Sequence, residues 1–217
     1  MQLAIFDLDN TLLSGDSDYL WGEYLCENGH IDSAGHREAH QQYYDDYREG
    51  RLDIDDFLRF QLQPLAANPF AELQRWRDEY IEQKIRPIIL EKGLATIADH
   101  RRRGHELLII TATNSFITAP IAELLGIEHL IGTEPEFVDG RYTGRVSSIP
   151  SYQDGKVKRL EMWLAERGEQ ACEKWFYSDS HNDIPLLERV DHAIAVDPDE
   201  KLAEVATERG WPIISLR

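Results

Sequence analysis

The chain has 217 residues, 42% of them hydrophobic and 29% charged, enough to bury the core of one domain with a modest insertion. A formal net charge of −17 argues against nucleic acid as a partner and would repel a phosphorylated ligand unless a metal or local cations offset it. Two cysteines, Cys26 and Cys172, are too few for a disulfide framework; with no signal peptide and no apolar run of ~18 residues, a cytoplasmic protein without membrane spans is expected.

Residues 2–9 read as a strand, in which the apolar run Leu3-Ala4-Ile5-Phe6 meets Asp7-Leu8-Asp9-Asn10-Thr11. From Asp16 to about Gln83 the pattern is helical. Leu20, Trp21, Tyr24 and Leu25 recur at helical spacing and stop at Asn28-Gly29. Residues 36–48 mix polar and aromatic side chains. Asp53 caps a third predicted helix through Leu58 and Leu62, ended by Pro64, and Asn68-Pro69 starts a fourth. After Pro87 helix and strand alternate. A helix over 90–103 precedes the buried run Leu107–Ile110, and a second over 115–125 is closed by Gly126. Asp139-Gly140 between short β-prone runs marks a hairpin. A helix over 155–166, a strand over 175–177, a short helix over 183–189, a strand over 193–196, a helix over 199–209 and an edge strand at Ile213-Ile214 complete the chain. The alternation implies an α/β fold with a Rossmann-like parallel sheet covered on both faces. Its core is residues 1–14 and 85–217, with a helical cap at 15–84 inserted after the first strand.

In a parallel sheet the strand tips share one rim, where ligands of open α/β folds bind. The first strand ends at Asp7 and Asp9, the second at Thr111, and the third in Ser178-Asp179-Ser180-His181-Asn182-Asp183. Two acids one residue apart repel each other unless a cation or an altered protonation state relieves them. A concentration of carboxylates suits a hard divalent cation, Mg2+ rather than Zn2+. Lys156 opens the helix ahead of the third strand and can balance part of that charge; Lys158 is its rival, less favoured because it stands further from the helix start. Asp and Thr at strand tips are also ordinary turn and cap residues, so none of these positions suffices alone. His36 and His40, one turn apart with no third ligand, read as a solvated helix face. His181 is either a substrate contact or a surface-loop histidine. Trp21, Tyr24, Tyr43, Tyr44 and Tyr47 read as packing rather than a platform for stacked bases.

Taken in order, these motifs give the chain a resemblance to the haloacid dehalogenase superfamily of phosphohydrolases, in the branch that includes phosphoserine phosphatase. Asp7, Asp9 and Thr11 match its Asp-x-Asp-x-Thr motif, and Thr111 its strand-ending Ser or Thr. Lys156 matches its lysine, and Asp179 and Asp183 its Asp-x-x-x-Asp. The resemblance covers essentially the whole chain. It implies that Asp7 attacks phosphorus and carries an aspartyl-phosphate, while Asp9 acts as general acid and then as base. It implies Mg2+ held by the Asp7 carboxylate, the Asp9 backbone carbonyl and Asp179, with Asp183 in support. Thr111 and Lys156 would grip the phosphoryl oxygens, and Asn182 would orient one of them.

The same resemblance bears on the substrate. In the phosphoserine-type branch an acid shortly after the first motif binds the substrate amine, and Asp16 holds the matching place. The branch's carboxylate clamp is a cap arginine, where this chain has Gln61; Arg59, two residues away, points to another side of the helix. Losing a bidentate guanidinium weakens recognition of a carboxylate. The expected substrate is a small amino-alcohol phosphate lacking the carboxylate. L-histidinol phosphate comes first, since the chain resembles a histidinol-phosphatase-like group, and phosphoserine second. A phosphotransferase using an acceptor alcohol and a non-catalytic phosphometabolite-binding module are the alternatives; dehalogenation fits less well.

Overall fold

The computed structural model describes residues 1–168 and 173–217, so Cys172 lies outside the described residues, while Cys26 is buried with a free thiol. The first three strands are β1 (Gln2–Phe6), β2 (Glu106–Asn114) and β3 (His129–Thr133). Next comes a separate antiparallel hairpin of β4 (Pro135–Val138) and β5 (Arg141–Val146), turned at Asp139-Gly140. The last are β6 (Glu173–Ser178), β7 (His192–Val196) and β8 (Ile213–Ile214). Six of them form one parallel sheet in the order β3-β2-β1-β6-β7-β8.

The apolar runs of these strands divide by alternate residues. Ala4, Phe6, Leu107, Ile109, Trp175, Tyr177, Ile194 and Val196 enter one core, and Leu3, Ile5, Leu108, Ile110, Phe176, Ala193 and Ala195 the other. A strand buried on both faces is what an uninterrupted apolar run encodes. Between β1 and β2 stand five helices: α1 (Ser17–Glu27), α2 (Ser33–Glu49), α3 (Ile54–Ala67), α4 (Phe70–Tyr80) and α5 (Glu91–Arg102). Asp16, Asp32 and Asp53 cap the first three by accepting from backbone N–H groups one turn inside. Trp21, Tyr24, Leu62, Leu65 and Tyr80 extend the first core, together with Ile97 of α5 and Ile117 of α6 (Ser115–Leu124). The second core is covered by Val157 and Leu160 of α7 (Asp154–Glu166), Leu187 of α8 (Ile184–Leu187), and Leu202 and Ala206 of α9 (Glu200–Arg209). Among the described residues no helix is long and apolar enough to cross a membrane.

Four details depart from the sequence reading. The first strand stops at Phe6 instead of Asp9, because Leu12 and Leu13 N–H groups return to the Leu8 carbonyl and Asn10 turns at φ +57°. The second strand runs on to Asn114, paired there with Thr133 of β3, an edge strand the sequence pattern did not disclose. Pro64 sits inside α3 rather than ending it: the ring forgoes one backbone bond, but Leu65 is buried behind it and the Asn68 amide donates to the Pro64 carbonyl at 2.8 Å. The His36 and His40 face is packed, not solvated. His40 is buried, and His36 stacks on Phe60 with ring centroids 4.7 Å apart.

Candidate active site

Strand order reverses between β1 and β6, and in open α/β sheets the crevice outside the strand tips at such a reversal takes the ligand. Asp7 follows β1 directly, and its N–H donates to the Tyr177 carbonyl across that junction at 2.9 Å. Asp179 follows β6. Their side chains border a cavity of about 270 Å³, lined also by Asp9, Thr111, Lys156 and Asp183. Residues from four separate chain segments therefore meet in one place.

Lys156 sits at the centre of the charge balance. Its Nζ donates to Asp7 Oδ1 at 2.8 Å and lies 2.7 Å from Asp183 Oδ1. The latter carboxylate is pinned in turn by the Ser178 hydroxyl at 2.7 Å. The lysine gets there because α7 starts close under Pro150. A Cβ on Gly155 would lie 2.0 Å from the Pro150 carbonyl oxygen, so only glycine fits. Lys158 is exposed and faces away.

Asp9 is held apart from this group. Its Oδ1 accepts from the Ser17 N–H at 2.6 Å, and its Oδ2 from the hydroxyls of Thr113 at 2.9 Å and Thr111 at 3.3 Å. Thr113 escaped the sequence reading because the second strand was ended at Thr111. On a strand that continues, residues two apart share a face, which was the available signal.

Lys156 by itself cannot neutralise Asp7, Asp9, Asp179 and Asp183. Burial pushes the Asp7 carboxyl up to about 7; Lys156 pulls it back, while Asp183 and Asp9 raise it further. Burial and then Asp16 push Asp9 up to about 6 against its hydrogen bonds from Ser17 and Thr113. Asp179 rises well above the ordinary range through burial, Asp7 and Asp183. Burial pulls the Lys156 ammonium down, but Asp183 and Asp7 more than reverse that and hold it above its ordinary value.

A divalent cation fits this donor set. Thr11 Oγ1 lies 3.5 Å from Asp7 Oδ2 and 3.4 Å from Asp179 Oδ1, so one oxygen of each carboxylate reaches the same neighbourhood, away from the Asp7 oxygen that Lys156 holds. Among the described residues no group of three or more His, Cys, Asp or Glu side chains is placed to hold a metal ion. Mg2+ does not need one, since it binds through one or two carboxylates and keeps several waters. Asp183, engaged by Lys156 and Ser178, stands behind this pair rather than in it.

The remaining sequence-predicted residues divide. Asp16 borders the cavity and spends Oδ1 on the N–H groups of Asp18 and Tyr19 at 2.9 Å each. Gln61 is buried and borders the cavity, whereas the Arg59 side chain is 70% exposed and pairs with Asp56 at 2.6 Å, outside it. Asn182 Oδ1 accepts from Tyr152 at 3.1 Å and Gln153 at 2.9 Å, and its amide donates to the Tyr47 carbonyl at 3.4 Å. It thereby ties the acidic loop to α2 and α7. His181 borders the cavity with its Nδ1 2.8 Å from Asp199 Oδ2. Trp21 and Tyr24 are core residues, and Tyr43, which packs on Phe57 and Phe60, lines the cavity together with Tyr44 and Tyr47. Asp18, buried on its wall, was not foreseen. Among the described residues lining the cavity there is no arginine.

Known proteins resemble this chain in sequence and fold. The model of the haloacid dehalogenase-like hydrolases matches residues 4–188. A histidinol-phosphatase of Neisseria meningitidis serogroup C (strain 8013) is 45% identical, the match covering 99% of each chain. The crystal structure of a protein of unknown function from Bordetella pertussis Tohama I superposes with a TM-score of 0.94 at 42% identity, over 100% of this chain and 99% of that one. A phosphoserine phosphatase holding a phospho-aspartyl intermediate analogue shares the fold, with a TM-score of 0.71 at 20% identity over 100% and 93% of the two chains.

Proposed function

The chain belongs to the haloacid dehalogenase-like hydrolase family, and from that premise we propose that it is a phosphomonoesterase acting on a small amino-alcohol phosphate, L-histidinol phosphate first and phosphoserine second. The observation that carries the reading is Lys156 bridging Asp7 and Asp183 while the far oxygen of Asp7 faces Asp179. In the reaction, Asp7 attacks phosphorus and the bond to the leaving alcohol breaks. Asp9, with its carboxyl near 6, gives its proton to the departing alkoxide and then takes one from the water that hydrolyses the Asp7 phosphoester. Thr111 and Thr113 hold Asp9 before substrate arrives, and the Thr111 hydroxyl is free to turn toward a phosphoryl oxygen. Lys156 offsets the charge of the phosphoryl group beside the nucleophile. Asp7, Asp179 and the Asp9 carbonyl would hold Mg2+, which would further neutralise the dianion.

Residues 15–84 act as the cap over a core of 1–14 and 85–217. Support comes from the Tyr47 hydroxyl, which donates to Ser180 Oγ at 2.9 Å and so brings α2 onto the acidic loop. The amino-alcohol preference rests on the cap wall, with the acid at Asp16 and Gln61 in the place of a carboxylate clamp, and on 45% identity to a histidinol-phosphatase. Steady-state turnover with Mg2+ of histidinol phosphate, phosphoserine and phosphoethanolamine tests it. Fastest hydrolysis of histidinol phosphate is expected; faster hydrolysis of phosphoserine would overturn the substrate assignment.

A further inference from the structure

Among the described residues, three side chains on the cavity wall carry a buried atom without a hydrogen-bond partner: Asp18, Gln61 and His181, of which His181 already pairs through its other ring nitrogen with Asp199. Asp18 is 6% exposed, and its Oδ1 lies buried without a hydrogen-bond donor. Gln61, on α3, is 3% exposed, and its Nε2 lies buried without an acceptor. Both border the same cavity as Asp9, in company with Tyr43 and Phe57. Asp16 differs, because its Oδ1 is spent on capping α1. An unmet carboxylate oxygen or amide N–H inside a protein is unfavourable. Where such groups persist on the wall of a concave site, they are the polar anchors of a ligand.

Asp18 offers an acceptor and Gln61 a donor, and Tyr43 and Phe57 line the same cavity. A neutral imidazole offers the reverse pair, one ring N–H and one bare ring nitrogen, on a flat ring that packs against Tyr and Phe. We propose that Asp18 and Gln61 recognise a nitrogen heterocycle carried by the departing alcohol, Asp18 accepting its N–H and Gln61 donating to its other nitrogen. This rests on the phosphomonoesterase reading above and adds to it the two residues that select, among phosphate esters of amino alcohols, those that bear an azole ring. Asp16 remains for the amine. A plain amino alcohol leaves both anchors unmet.

The test measures kcat/KM for L-histidinol phosphate and for phosphoethanolamine, which has the amine but no ring, in the wild type, Asp18→Asn and Gln61→Leu. The wild type is expected to favour the ring-bearing ester, and each substitution to cut that preference roughly tenfold or more, the worth of a hydrogen bond to a buried polar or charged group. The loss should fall mainly on KM, with phosphoethanolamine turnover kept within about twofold. Asp18→Asn should also melt no lower than the wild type, since it keeps the shape of a buried side chain whose Oδ1 has no donor to lose. Equal losses on both esters, a lower melting temperature for Asp18→Asn, or an unchanged preference would overturn the proposal. A wild type that hydrolyses both esters equally overturns the ring site and leaves the phosphatase reading standing; one that hydrolyses neither overturns both.

Discussion

Two buried polar clusters lie against the same sheet and are satisfied in opposite ways. Under α5, His100 Nδ1 is 2.8 Å from His105 Nδ1, and His100 Nε2 is 2.8 Å from the Tyr177 hydroxyl, whose ring stacks on Phe6. Burial, then His105 and Arg103, drive His100 down to about 4, so the chain of groups is neutral near pH 7. At the strand tips, a single ammonium faces Asp7 and Asp183, with Asp179 and Asp9 close by and their carboxyls pushed up. The first cluster needs nothing from outside. The second leaves its buried carboxylates short of positive charge, and that imbalance separates a candidate site from a structural network.

The contrast breaks most visibly at Asp7. Asp7→Asn is expected to lower kcat by more than about a thousandfold, as loss of a covalent nucleophile does, while thermal unfolding shows a protein at least as stable as the wild type. Lys156→Met should be the reverse in stability. It leaves Asp7 and Asp183 buried without their ammonium, at a cost of about 3–5 kcal/mol in chemical denaturation, and activity is lost with it.

The pH dependence of stability has opposite signs in the two clusters. Asp7 at about 7 and Asp9 at about 6 stand above the ordinary 3.8, so the folded chain holds protons that the unfolded chain has released. In metal-free protein their contribution therefore falls as pH rises from about 4 to 7. Mg2+ should restore the melting temperature most strongly above pH 7; an ion effect confined to acid pH would contradict the site. His100 is depressed from 6.5 to about 4, so its contribution is full above 6.5 and is lost as pH falls through 4. The smallest effect is expected from His100→Gln: a cost of about 1–3 kcal/mol for the buried partners left unmet, with kcat/KM unchanged. A large loss of activity there would erase the distinction between the clusters.

Much of this was legible in the chain. Strands buried on both faces announce themselves as apolar runs, and Asp7, Thr111, Lys156 and Asp179 follow or precede such runs at fixed offsets, so sheet topology alone gathers them. What stayed hidden depends on long-range packing. The edge strand His129–Thr133 is short and carries Gly132 close against the Thr113 carbonyl, so its register appears only once β2 is in place. Pro64 reads as a terminator until Leu65 is known to be buried. Asp18 looks like any acid in the first turn of a helix, and its missing partner is visible only when the cavity wall is assembled.

The central claim is that Asp7 takes the phosphoryl group. Rapid acid quenching of the wild type during turnover of histidinol phosphate with Mg2+, followed by peptide mass spectrometry, tests it most directly. A phosphoryl group on the Asp7 carboxylate, absent from Asp7→Asn, is the predicted result. Steady turnover with no adduct on Asp7 at any quench time, together with an active Asp7→Asn, would contradict it.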